Sequence, residues 1–252
     1  MTMIKVQQLN INVEKSGNGR SSIILLPGWG QSTKIFADVN NHLMNAFTVY
    51  NIDLPGFGLS DKPNAVFNTM DYANIVRGII EYFEIKDPII LGHSFGGRVA
   101  IKYTAIYKGV KKLILVDSAG IVPKKKFSYY LRVYTFKFLR RLFSLPLLKL
   151  YKEQVLKKFG SSDYKNADDT MKKVLVKVVN EDLRKDLYQI LCPTLLIWGT
   201  EDDVTPISDA YLMKEHLYDA GIVKLEKGGH YSFLDNNYLF LSVLDVFLTP
   251  EK

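Results

Sequence analysis

Residues 88–97 read Pro-Ile-Ile-Leu-Gly-His-Ser-Phe-Gly-Gly. A short apolar run, Ile89 to Leu91, enters Gly92-His93-Ser94-Phe95-Gly96, which spells G-x-S-x-G. Apolar residues at helical spacing follow. The pattern predicts a strand over Pro88–Gly92, a very tight turn at Ser94 and a helix over Ser94–Tyr107. Such a turn strains the backbone of its central residue, and small residues two places either side let strand and helix pass without collision. It holds the serine hydroxyl above the sheet, beside a helix N-terminus whose partial positive charge favours a developing anion. A serine that merely caps a helix also fits five residues, but less well with a strand before it and a further Gly97 behind.

The same rhythm extends outward. Apolar runs at Ser22–Leu26, Phe47–Leu54, Lys112–Asp117, Thr194–Gly199 and Gly221–Glu226, most bounded by Gly or Pro, suit strands covered on both faces. Two alternating segments, Met3–Gln8 and Asn10–Lys15, precede them. Helical patterns fall near Thr33–Met44, Thr69–Phe83, Ser208–Leu217 and Asn236–Leu248. The fold class predicted is α/β: a mostly parallel eight-stranded sheet with helices on both faces. Function in such a sheet gathers at the carboxyl ends of the strands, where these turns lie.

A serine hydroxyl is a weak nucleophile and needs a base. His42 and His216 sit in amphipathic helical patterns. His93 adjoins the serine, where neighbouring side chains point apart. His230, after Gly228-Gly229 and the last strand, lies at the same sheet edge as Ser94 and is the best base. A base in turn needs a carboxylate to fix its tautomer. Asp117, Asp202 and Asp203 all lie at strand ends and meet that need by position.

Composition sets the bounds. The chain has 252 residues, 47% hydrophobic, enough for one large domain or a domain with an insertion. A single cysteine, Cys192, excludes an internal disulfide framework and any cysteine-cluster metal site. No metal and no organic cofactor is expected. The first residues alternate polar and apolar, unlike a signal peptide, and no run of about 18 apolar residues exists. A cytoplasmic protein is expected.

Together, Leu26-Pro27-Gly28-Trp29-Gly30, Asp53-Leu54-Pro55-Gly56-Phe57-Gly58-Leu59-Ser60, Gly92–Gly97, Trp198–Pro206 and Gly228-Gly229-His230 resemble the α/β-hydrolase fold serine hydrolases. The resemblance covers residues 1–118 and 192–252 as a core domain and implies that 119–191 form an inserted helical cap. The family's Gly-x-x-Asp-x-x-x-Pro pattern falls on Gly199, Asp202 and Pro206, so the resemblance selects Asp202 as the acid beside Ser94 and His230. It implies a carboxylesterase-like hydrolase that forms an acyl-enzyme on a small acyl substrate. Backbone N–H groups of Trp29 and Phe95 would meet the oxyanion. The same catalytic set could instead serve carbon–carbon, amide or lactone hydrolysis or acyl transfer, and a non-catalytic ligand-binding or lipid-surface homologue is the rival from another class. The chain departs from most relatives in having Pro27 where they carry histidine before the glycine. The Asp53–Ser60 turn implies no catalytic role.

The net charge of +7 is concentrated. Residues 119–192 hold 17 of the 33 Lys+Arg and 7 of the 26 Asp+Glu, a surplus of ten cations, which leaves the remainder at 16 against 19. Phe127, Leu131, Tyr134, Phe138, Leu142 and Leu145 form one helical stripe, and Tyr130 broadens it. Pro146 ends that helix; Leu147–Phe159 and a stretch near Asp168–Asp186 follow. The stripe is expected to pack on the core domain beneath a solvated basic face, with Trp29, Phe95, Tyr130 and Tyr134 lining a substrate pocket. A weak contact of this cap with an anionic lipid surface is the second reading. Nucleic acid is not expected as a partner: no recognition motif is present, and the aromatics follow a helical stripe rather than a base-stacking groove.

Overall fold

Eight strands form one sheet in the order β1-β2-β4-β3-β5-β6-β7-β8. They are β1 (Thr2–Val6), β2 (Leu9–Ser16), β3 (Ser22–Leu26), β4 (Thr48–Ile52), β5 (Ile89–His93), β6 (Lys112–Val116), β7 (Thr194–Gly199) and β8 (Ala220–Leu225). The β1–β2 and β2–β4 pairings are antiparallel and all others parallel, as the alternation of apolar runs and helical patterns predicts. The computed structural model describes residues 1–122 and 162–249. The helices expected over 124–145 and 147–159, and with them Tyr130 and Tyr134, lie outside the described residues.

Side chains alternate across the sheet, so each central strand feeds two cores. Ile23 and Leu25 of β3 pack with Phe36, Val39 and Leu43 and with Phe240 and Leu244 on one face. Ile24 and Leu26 pack with Tyr72, Val76, Val99 and Ala100 on the other. The first face is covered by α1 (Ala37–Leu43) and α9 (Asn237–Leu248), the second by α2 (Thr69–Tyr82), α3 (Phe95–Tyr107) and α7 (Ile207–His216). Both faces of β3, β5, β6 and β7 are therefore dry, which explains their unbroken apolar runs.

Local chemistry fixes the helix starts. Asn68 accepts from the Asp71 amide at 3.0 Å while Asp71 accepts from the Asn68 amide at 2.7 Å, a reciprocal cap that begins α2. The helix expected over Thr33–Met44 divides into a 3₁₀ turn, Thr33–Phe36, and α1. The reason is an anchor. Asp53 accepts from the Thr33 amide at 2.6 Å and Asn51 donates to the Thr33 carbonyl at 2.8 Å, holding the first turn apart from the rest.

Between β6 and β7 the described residues form α4 (Ser162–Asn166), α5 (Asp169–Val179) and α6 (Arg184–Leu187). Met171, Leu175 and Val178, expected on one side of a helix, are all buried along α5. Lys102 of α3 pairs with Asp186 at 2.8 Å and Glu181 at 3.1 Å, tying residues 181–186 to the core. Among the described residues, no helix is long and apolar enough to cross a membrane.

Candidate active site

The Ser94 turn is as tight as its glycines require. Ser94 joins β5 to α3 with φ 50° and ψ −112°, a conformation that a non-glycine residue adopts only under strain. A Cβ at Gly96 would stand 1.9 Å from the Leu26 carbonyl oxygen, and one at Gly92 would stand 2.5 Å from the Gly96 oxygen. Only hydrogen fits where these backbones cross.

Three strand-end loops converge there. Ser94 Oγ lies 2.9 Å from His230 Nε2, and His230 Nδ1 lies 2.8 Å from Asp202 Oδ2. A carboxylate can only accept, so Nδ1 carries the proton and Nε2 is left to accept from the serine hydroxyl. The Asp202 carboxyl group is fully buried. Burial pushes its pKa up, but His230 and the Thr205 amide and hydroxyl outweigh that and hold it below the usual carboxylate value.

The other candidates separate clearly. Asp203 is exposed. Asp117 is buried but turns to Gly199 and Ser232 rather than to His230. His42 pairs with Asp245 at 2.7 Å, and His216 bonds the Leu212 carbonyl. His93 points away from Ser94, as expected of adjacent residues. Its buried ring donates through Nε2 to the His230 carbonyl at 2.8 Å, and burial drives its pKa down to about 3. It therefore stays neutral and props the His230 loop.

Thr205 was not legible as part of the site. Its amide and that of Val204 donate to Asp202 Oδ1 at 2.9 and 2.8 Å, and its hydroxyl lies 2.7 Å from Oδ2. An Asp followed three residues on by a Thr, just before Pro206, is the signal for such an Asx-type turn.

Trp29 follows β3 and Phe95 opens α3, so both amides lie at this edge. Trp29 packs edge-on against Phe95 at 5.3 Å and Phe57 at 4.8 Å. Phe95 is itself buried, 4.9 Å from Tyr72. A cavity of about 410 Å³ opens beside Trp29, lined also by Gln31, Phe57, Lys62, Asp163 and Met171. Trp29 thus borders open space while the Phe95 ring lies in the core, and Phe57 takes a place the sequence did not mark. Burial raises the pKa of Asp163, and the nearby His230 opposes that rise. A larger cavity, about 610 Å³, lies against Lys5 and Arg77 and touches none of these residues.

A mostly parallel sheet that joins serine, histidine and aspartate at its carboxyl edge marks an enzyme of the hydrolase class. The chain belongs to the alpha/beta hydrolase fold family, whose model matches residues 22–237. It is 27% identical over 263 residues to the AB hydrolase superfamily protein YisY of Bacillus subtilis (strain 168), covering 96% of each chain. It is 26% identical over 252 residues to the pimeloyl-[acyl-carrier protein] methyl ester esterase of Wigglesworthia glossinidia brevipalpis, covering 92% of this chain and 95% of that one. Among solved structures, an esterase from Exiguobacterium antarcticum superposes with a TM-score of 0.77 at 24% identity, covering 98% of both chains.

Proposed function

We propose that the protein is a serine hydrolase that cleaves a carboxylic ester through an acyl-enzyme. The observation that carries this reading is the unbroken relay from Ser94 Oγ to His230 at 2.9 Å and on to Asp202 at 2.8 Å. Ser94 attacks the ester carbonyl as His230 Nε2 takes its proton. The negative oxygen that forms is met by the Trp29 and Phe95 amides, and losing one such donor typically costs about 10²–10³ in rate. His230 then protonates the leaving alcohol, and a water deprotonated by the same nitrogen releases the acid from Ser94. Asp202 fixes the His230 tautomer and offsets the imidazolium charge.

The kinship with methyl ester esterases supports an ester over an amide, a lactone or a carbon–carbon bond. Residues 119–191 act in this reading as a cap over the core domain, in keeping with Asp163 and Met171 beside the Trp29 cavity. The test is Ser94→Ala. Turnover of short p-nitrophenyl esters and labelling by a fluorophosphonate are both expected to vanish. Undiminished ester cleavage by this variant sinks the reading, and wild-type protein that takes no label favours a binding protein. A panel of esters, amides and lactones ranks the bond cleaved.

A further inference from the structure

Asp117, the residue after β6, is fully buried and carries φ 43°. Its Oδ1 accepts the Gly199 amide at 2.8 Å. Its Oδ2 accepts the Ser232 amide at 3.1 Å and the Ser232 hydroxyl at 2.6 Å. The Thr205 hydroxyl, which donates to Asp202 Oδ2, lies 3.0 Å from the Asp117 carbonyl oxygen. These partners are not scattered. Gly199 opens the loop that carries Asp202, Thr205 closes that loop, and Ser232 stands two residues beyond His230.

The ionised group is an expensive way to hold a core together. Burial pushes the Asp117 carboxyl up to about 7, and the charge of Asp202 adds to the rise. A neutral side chain of the same shape would suit stability better. What a carboxylate adds is two acceptor oxygens, one for each loop, where an amide isostere has a single acceptor.

We infer that Asp117 is a positioning residue: by gripping the acid loop at Gly199 and the base loop at Ser232, it sets the approach of Asp202 to His230. This rests on the proposed roles of Ser94, His230 and Asp202. Such a clamp acts on the reaction more than on substrate binding, since small displacements of catalytic groups are costly in rate.

Asp117→Asn tests it. The amide nitrogen cannot accept, so either the Gly199 amide or the Ser232 amide loses its acceptor with almost no change of volume. The kcat on a p-nitrophenyl ester is expected to fall about tenfold or more with KM within about twofold. Fluorophosphonate labelling of Ser94 is expected to slow in parallel. The melting temperature at pH 8 is expected to hold or rise. The folded state keeps the Asp117 proton up to about pH 7, whereas the unfolded chain releases it at the ordinary carboxylate value. Ionisation therefore costs the native protein stability at pH 8, a cost that Asn lacks. Ser232→Ala, which removes one of the three donors, is expected to lower kcat less, with a small loss of melting temperature at pH 8 because the hydroxyl bond favours the ionised Asp117. Wild-type kcat in Asp117→Asn, or a loss that only tracks a lowered melting temperature, overturns the clamp. If that variant does not fold, Ser232→Ala decides at a temperature where circular dichroism shows it fully folded: reduced kcat with KM within about twofold supports the clamp, and wild-type kcat overturns it. Turnover retained in Ser94→Ala removes the proposed roles themselves, whereas an inactive Ser94→Ala beside a fully active Asp117→Asn removes the clamp alone.

Discussion

The buried imidazole of His93 and the backbone carbonyl of His230 are joined by a hydrogen bond of 2.8 Å. The residue before Ser94 thus supports His230, although 137 positions separate the two in sequence. A Cβ on Gly28 would stand 2.9 Å from the same ring, so the loop after β3 closes over it. His93→Ala leaves that carbonyl without its donor and opens a void beneath the site. The expected result is a fall in kcat of about 10²-fold and a loss of about 1–3 kcal/mol in stability. Steady-state kinetics and urea unfolding check both. In NMR, His93 is expected not to titrate above pH 5, because burial holds its pKa near 3.

Asp202 and Asp203 are neighbours with opposite surroundings, one buried and one exposed. Asp202→Asn is expected to lower kcat about 10⁴-fold by favouring the wrong His230 tautomer. Asp203→Asn is expected to stay within about twofold of wild type. Kinetics of the two variants on one ester make the comparison, and equal losses would falsify the choice of Asp202.

Two glycines separate steric need from conformational need. A Cβ at Gly96 meets backbone at 1.9 Å, whereas Gly109, at φ 68°, has open space. Gly96→Ala is expected to cost more than about 3 kcal/mol, beyond ordinary overpacking, because main chain has to move. Gly109→Ala is expected to cost about 1 kcal/mol, the strain of a left-handed backbone alone. Chemical denaturation of both variants measures the contrast.

Cys192 is partly buried, and that burial pushes its thiol up to about 11. The reactive thiolate is therefore scarce at pH 8. Modification by a thiol reagent is expected to be slow at pH 8 and to accelerate steadily toward pH 11, with ester turnover unchanged by the label at this distant loop. Rapid stoichiometric labelling at pH 8 would contradict the burial.

The strands were legible because a sheet dry on both faces leaves no choice of residue: Ser22–Leu26 and Thr194–Gly199 fall where their apolar runs place them. Ser94 was legible because only glycines tolerate the contacts at positions 92 and 96. His230 and Asp202 were approached through strand ends, and the choice of Asp202 over Asp203 and Asp117 needed the family pattern. What stayed hidden depends on contacts across the sequence. Nothing local marks His93 as a prop, Asp117 as a partner of Ser232, or the Asp53 anchor that separates Thr33–Phe36 from α1. The short helix α8 (Ser232–Asp235) is one turn long and leaves no period to read.

The pairing of β6 with β7 carries one more consequence. Leu113 to Val116 run in register with Thr194 to Ile197, and the Asp117 amide still bonds the Ile197 carbonyl at 3.0 Å. The chain therefore leaves the sheet at the carboxyl end of β6 and rejoins it at the amino end of β7, one strand over. On the way, the Leu183 amide bonds the Gly120 carbonyl at 2.9 Å, so the two ends of the 121–182 stretch meet outside the ladder. A change of chain length between residues 123 and 161 is therefore expected to leave the β6–β7 register as it is, because the ladder and the Gly120–Leu183 bond both lie outside that stretch.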